Sequence, residues 1–110
     1  MRRRRLRGVA ALFTPDAVYA YGDRVARGPS ELVAFLDDSQ GRPEQRGKHL
    51  TVNCVVEPDD DHVRAVSDFV FLRHDERGLV PAVAGRYRDR LVRTDGLWLI
   101  AERLIERFGA

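Results

Sequence analysis

The chain has 110 residues, 44% of them hydrophobic and 33% charged, a balance that fits one globular domain with room for a single core. No apolar run approaches the roughly 18 residues that a membrane span needs, and Cys54, the single cysteine, leaves no internal disulfide and no cysteine-based metal cluster. The formal charge of +2 turns to −3 once the five arginines among the first seven residues are set aside, so the body of the chain offers no surface to a polyanion and nucleic-acid binding is not expected.

In chain order, "MRRRRLRGVAALF" has a basic start but too short an apolar stretch for a signal peptide, and a cytoplasmic location is expected. Leu6, Val9, Ala10 and Phe13 recur at helical spacing, which predicts a helix ending before Pro15. "DAVYAYGD" alternates as a short strand closed by Gly22-Asp23, with "RVAR" as its hairpin mate. In "GPSELVAFLDD", Pro29 suits a first helical turn, and Leu32, Val33, Phe35 and Leu36 form an apolar face. "SQGRPEQRGK" reads as a polar loop. "HLTVNCVVE", a turn at "PDDD", and "HVRAVSDFVFLR" read as a strand pair rich in β-branched and aromatic residues. "HDERGLVP" reads as a second loop. Two further strands then flank "TDG". The order helix, strand pair, helix and four antiparallel strands predicts a single α+β domain, a curved sheet with the 30–38 helix packed on its concave side.

The last hairpin carries polar residues where apolar ones are expected. A two-residue Asp95-Gly96 turn would set Asp89 opposite Glu102, two like charges. A three-residue turn places Arg88 opposite Glu102 and Tyr87 opposite Arg103, and this register is expected. One face then carries Tyr87, Asp89, Leu91, Leu99, Ala101 and Arg103, with Asp89 near Arg103. The other carries Arg86, Arg88, Arg90, Val92, Trp98, Ile100, Glu102 and Leu104. On that outer face Val92, Trp98, Ile100 and Leu104, extended by Leu50, Val52, Cys54 and Val56, make an apolar patch that predicts a homodimer. Cys54 itself reads as a buried small hydrophobe.

The pieces "ALFTPDAVYAYG", "GPSELVAFL", "KHLTVNCVVE" and "GRYRDRLVRTDGLWLIAERLI", in this order, resemble the SnoaL-like branch of the nuclear transport factor 2-like superfamily, from Ala10 nearly to the end. The resemblance implies a cone of curved sheet closed by helices around a pocket. That superfamily holds dehydratases, isomerases, polyketide cyclases and non-catalytic binding modules. In its scytalone and bile-acid dehydratases, a histidine at the start of the third strand matches His49, and a tyrosine on the first strand matches Tyr21. Their Tyr-Asp pair in the first helix would fall at about Arg2 or upstream of it, where this chain has "MRRRR", so a truncated first helix is expected.

The candidate catalytic residues are accordingly His49, a general base suited to proton abstraction beside a carbonyl, and Tyr21, a hydrogen-bond donor to the developing oxyanion. By position alone, His49 reads equally as a surface or structural histidine, and Tyr21 as a half-buried aromatic with a wet hydroxyl. Tyr87, Asp89, Arg103 and Asn53 are candidate ligand-binding residues, with Asp68 a weaker one. An Asp89–Arg103 ion pair is the alternative for those two. The acidic turn before His62 lacks a second ligand cluster, so no metal is expected, nor any cofactor. Two functions remain open: a cofactor-independent lyase or isomerase acting on a small apolar or polyketide-like molecule, and a non-catalytic ligand-binding or dimerisation module.

Overall fold

The structure is a computed structural model that describes residues 6, 8–40 and 47–109. The arginine-rich start, the position of the Tyr-Asp pair and most of the "SQGRPEQRGK" segment lie outside the described residues. Leu6 and residues 8–10 are helical and form α1, in which Leu6 and Ala10 are buried and Val9 is exposed. The chain then runs through β1 (Phe13–Tyr21), β2 (Arg24–Arg27), α2 (Gly28–Gln40), β3 (Gly47–Asp59), β4 (His62–Asp75), β5 (Gly78–Thr94) and β6 (Leu97–Arg107). The expected order of elements is present, and the α+β class with it.

The six strands form one curved sheet in the order β2-β1-β6-β5-β4-β3. The β1–β6 pair is parallel, and the remaining pairs are antiparallel. No local pattern announced the parallel pair, because it joins the two ends of the described chain. It also explains why Phe13 is not helical. Residues 11–12 turn, the Ile100 amide donates to the Leu12 carbonyl at 2.9 Å, and Phe13 starts β1 opposite Ile100. Pro15 is tolerated inside the strand because pairing lapses between Phe13 and Val18, where a missing N–H costs no ladder bond.

Three segments are more regular than expected. Ser39 and Gln40 continue α2, and Gly47 and Lys48 already belong to β3. "HDERGLVP" is not a loop: β4 and β5 run through it and leave only residues 76–77 as a turn. That turn is held by the Arg77 amide donating to the Asp75 carboxylate at 2.7 Å. Cross-strand pairing thus extends both strands past the point where hydrophobic alternation fades.

The apolar face of α2 lies where expected. Leu32, Val33, Phe35 and Leu36 are buried against Phe13, Ala17 and Ala26 of the β1–β2 hairpin and against Leu6 and Ala10 of α1. Glu31 sits in the first turn of α2, where a carboxylate suits the helix dipole, and accepts the Arg27 amide at 2.9 Å. α2 therefore covers one end of the concave face, over β1 and β2, and leaves the remainder open.

The last hairpin resolves its charge conflict by an unexpected route. The turn is the two-residue one, Thr94 pairing with Leu97, with Asp95 and Gly96 both at positive φ (52° and 81°), as a type I′ turn requires. The clash between Asp89 and Glu102 is avoided further along by a bulge. Leu91 pairs with Ile100 but Arg90 with Glu102, so Ala101 is the extra residue. Asp89 and Arg103 share one face, as expected, but are directly opposite each other, whereas Tyr87 faces Ile105 and Arg88 faces Leu104. The expected Arg88–Glu102 pair is replaced by Arg88–Glu106 at 3.5 Å. Gly96→Ala meets open space at this turn, so its cost is backbone strain alone, about 1 kcal/mol. A thermal melt is expected to drop by about 4 °C, and an unchanged midpoint would contradict the positive φ.

The bulges also rearrange the expected faces, because one extra residue reverses the alternation beyond it. Past Ala101, Ile100 turns inward and packs on the core instead of joining an outer patch. In β3 the pairing slips between Val52 and Val55. The slip places Asn53, at φ 53°, and Cys54 in the bulge, leaves Cys54 exposed rather than buried, and divides the Leu50, Val52, Cys54, Val56 row. Trp98 and Leu104 of the expected patch remain exposed, and exposed apolar side chains also gather on the β3 edge, at Leu50, Val52, Val55 and Val56. Towards the sheet centre the outer surface is charged, with Arg86 on Asp68 at 2.8 Å and Arg88 on Glu106.

Candidate functional site

The registers stack inward-facing residues into rows that cross the sheet. One row runs Tyr21–Ile105–Tyr87–Ser67. The next runs Arg107–Gly85–Phe69–Thr51, and a third runs Val83–Phe71–His49. Because strand side chains alternate between faces, these rows share the concave side. Curvature folds them around a cavity of about 520 Å³, closed on one side by Phe35, Leu36 and Ser39 of α2. That volume is suited to a drug-sized molecule.

The floor of the cavity is aromatic. Phe69 stacks on Tyr87 with centroids 4.6 Å apart and planes 22° apart. It can lie flat there because its cross-strand partner is Gly85. A Cβ at Gly85 would come within 2.7 Å of the Phe69 ring and would also strike the Glu106 carbonyl. The His49 ring packs on Phe71 at 4.7 Å and on Phe69 at 6.3 Å. Tyr19 stands nearer the core, against Phe13 and Phe35, and its burial pushes the phenol up to about 12, so it stays protonated.

Beside this floor, in the next row along the same face, lies the polar group that the hairpin sequence made conspicuous. The Arg103 guanidinium donates two hydrogen bonds to the Asp89 carboxylate, each 2.8 Å, and stacks over the Tyr87 ring at 4.2 Å. The Asp89 side chain is 8% exposed and that of Arg103 24%. Burial by itself pulls the Arg103 guanidinium down, but its hydrogen bonds and attraction to Asp89 outweigh that and hold it above its ordinary value. Tyr87 is raised by burial, with Arg103 opposing.

Of the residues singled out from the sequence, His49, Tyr21 and Tyr87 line the cavity together. Asp89 and Arg103 do not line it; they satisfy each other beside Tyr87 and brace it. Asn53 does not line it either: it sits in the β3 bulge and hydrogen-bonds Asp68. Asp68 in turn is held below the usual carboxylate range, first by its hydrogen bond from Arg86. His62 contacts Asp59 at 3.1 Å and Asp61 at 3.3 Å within the β3–β4 turn. Among the described residues no three metal-ligating side chains converge, and no helix is long and apolar enough to cross a membrane.

Sequence reasoning missed Phe69, Phe71, Arg73, Val83, Ile105 and Arg107 as cavity residues. The alternation of "SDFVFLR" was visible, but its facing depends on register with β5. Phe69 opposite Gly85 was the available clue.

His49 is the group in the cavity best placed for proton chemistry. Its imidazole is held below the ordinary value of 6.5 by burial, so it is neutral near pH 7 and able to accept a proton. Among the described residues, no carboxylate lines the cavity.

Residues 3–104 match the family of SnoaL-like domains. No protein of curated function is significantly similar in sequence. Among solved structures, a protein of unknown function from Mycobacterium tuberculosis is 30% identical, with a TM-score of 0.83 over 96% of this chain. This chain spans 62% of that protein's length. A Catenulispora acidiphila protein solved in complex with S-DNPA is 28% identical, with a TM-score of 0.81 over 93% of this chain and 78% of that one. A scytalone dehydratase-like protein from Novosphingobium aromaticivorans is 22% identical and shares the fold, with a TM-score of 0.75 over 93% of this chain and 70% of that one.

Proposed function

The chain belongs to the SnoaL-like family, and from that premise we propose that it is a small-molecule pocket protein working as a cofactor-independent lyase or isomerase. The observation that carries the reading is a neutral His49 on an aromatic floor, sharing one cavity with the hydroxyls of Tyr21 and Tyr87. The His49 imidazole takes a proton from a carbon beside a substrate carbonyl, and the C–H electron pair becomes an enolate. Tyr21 donates a hydrogen bond to the enolate oxygen. In an isomerisation the imidazolium returns the proton to another carbon. In an elimination the enolate expels a β-hydroxyl, which leaves as water with that proton.

The experiment is a turnover screen with two probe sets, cyclic β-hydroxy ketones for elimination and β,γ-unsaturated ketones for isomerisation. Turnover that disappears in His49→Ala is expected. Ligand binding with no turnover of either set would remove the catalytic reading and leave the second one, a non-catalytic binding module. The observation favouring that alternative is the lack, among the described residues, of a carboxylate to orient His49.

A second copy of the chain is proposed to cover the exposed apolar edge at Leu50, Val52 and Val55, since unpaired apolar strands are otherwise prone to association. Light scattering is expected to give a dimer mass at micromolar concentration, and Val55→Lys a monomer. A monomer mass for the unaltered chain would end this proposal.

A further inference from the structure

Two of the three arginines around the cavity are not matched by anions. Arg24, Arg73 and Arg107 line it, together with His49, three tyrosines and Ser39. Arg24 is engaged, paired with Asp38 at 3.3 Å and lying over the Phe35 ring at 4.3 Å. The side chains of Arg73 and Arg107 have no ion pair or hydrogen bond with any described residue. Elsewhere on the sheet Arg64, Arg86, Arg88 and Arg103 each meet a carboxylate, while the side chains of Arg27, Arg90 and Arg93 meet none among the described residues but do not line the cavity. Arg107 stands on the Phe69 row, and Arg73 two residues beyond Phe71 on β4. Two exposed guanidinium groups therefore border an aromatic floor that holds no negative charge among the described residues.

Resting on the pocket reading above and sharpening it, we propose that this cavity takes an aromatic acid: a flat ring system bedded on Phe69, Phe71 and Tyr87, with its carboxylate held at the mouth by Arg73 and Arg107. Guanidinium suits this role. It is always charged, and its planar fork matches the two oxygens of a carboxylate. Low-dielectric walls on one side of the ion pair strengthen it relative to the same pair in water. The apolar floor supplies the remaining affinity, and the acid group fixes which end of the ligand points towards His49. The arginines thus set orientation and selectivity and take no part in bond making.

The test compares 2-naphthoate with its uncharged isostere 2-naphthamide by isothermal titration. At low salt the acid is expected to bind about tenfold more tightly than the amide, as one well-placed charged hydrogen-bonded pair provides. That advantage should shrink several-fold between 20 mM and 500 mM salt, while amide binding stays level. Arg73→Gln and Arg107→Gln are each expected to erode the preference, and the double variant to abolish it with amide affinity unchanged. His49→Ala should leave the preference in place. Equal affinities for acid and amide in the unaltered protein would overturn the inference while leaving the pocket intact. Failure of both compounds to bind at millimolar concentration would overturn the pocket reading and the inference together. The salt series uses the unaltered chain and so does not depend on the variants folding.

Discussion

Asp89→Ala is expected to lower the unfolding free energy by about 3 kcal/mol, the lower end of the range for breaking a buried ion pair. The lower end applies because the Arg103 side chain keeps 24% exposure and recovers some hydration. The loss arises from what is left behind. Removing the carboxylate deprives the guanidinium of two 2.8 Å hydrogen bonds and leaves a positive charge between Tyr87 and Tyr19 with no counter-charge opposite it. For a domain whose total stability is about 5–15 kcal/mol, that is a substantial share. Replacing both members, Asp89→Leu with Arg103→Met, removes the stranded charge and is expected to recover much of the loss. Urea denaturation reads both outcomes. A single variant within about 0.5 kcal/mol of the parent would mean that the pair does not brace the cavity floor. The geometry also predicts that Asp89→Ala loosens ligand binding, because Tyr87 loses the stacked guanidinium that fixes its ring.

The other large effect is on turnover. Substituting Ala for His49 is expected to lower kcat/KM about 10²- to 10⁴-fold on whichever probe is turned over, the range for a general base. The protein should stay folded, because the imidazole packs on Phe71 at an accessible rim and makes no buried hydrogen bond among the described residues. The His49 imidazole is held below its ordinary value in the resting protein because partial burial against Phe69 and Phe71 disfavours its charged form. The acid limb of the pH–rate profile should therefore have its midpoint below 6.5. The same shift acts on stability. Between the folded value and 6.5 the unfolded chain binds the His49 proton more readily than the folded one. Stability from this group is thus complete above pH 6.5, falls as pH drops through that window, and levels off once both states are protonated. A His49 titration by NMR with a midpoint above 6.5 would reverse both signs.

The two effects have different origins in the chain, and the difference shows what a sequence of this kind encodes. Asp89 and Arg103 were conspicuous because they interrupt alternating apolar strands, and their pairing followed from charge alone. Their register did not follow, because Asp95-Gly96 fixes only the turn. A bulge can be placed anywhere along the strand, and nothing about Ala101 marks it as the extra residue. The register expected for the hairpin differed from the real one by two residues along β5, which kept Asp89 and Arg103 on one face while misplacing the partners of Tyr87 and Arg88. The same cause, a bulge at Asn53 and Cys54, put Cys54 in solvent and divided the apolar row of β3.

What the sequence determined by itself is the local part: the α2 face of Leu32, Val33, Phe35 and Leu36, the β1–β2 hairpin around Gly22, the antiparallel order of the last four strands, and the family that this order resembles. Periodicity, glycine and proline act over a few residues, and these features need no distant partner. Tertiary structure alone decided which histidine, tyrosines and arginines surround one space. His49 and Tyr21 belong to strands at nearly opposite ends of the sheet, about 19 Å apart if it were flat. They share a cavity because the sheet curves around α2 and because β1 pairs in parallel with β6. Arg73 and Arg107 reach that cavity through registers set by bulges at Ala82 and Ala101. A one-residue bulge turns every following side chain to the opposite face, so the composition of the pocket is fixed by long-range pairing energy rather than by local pattern.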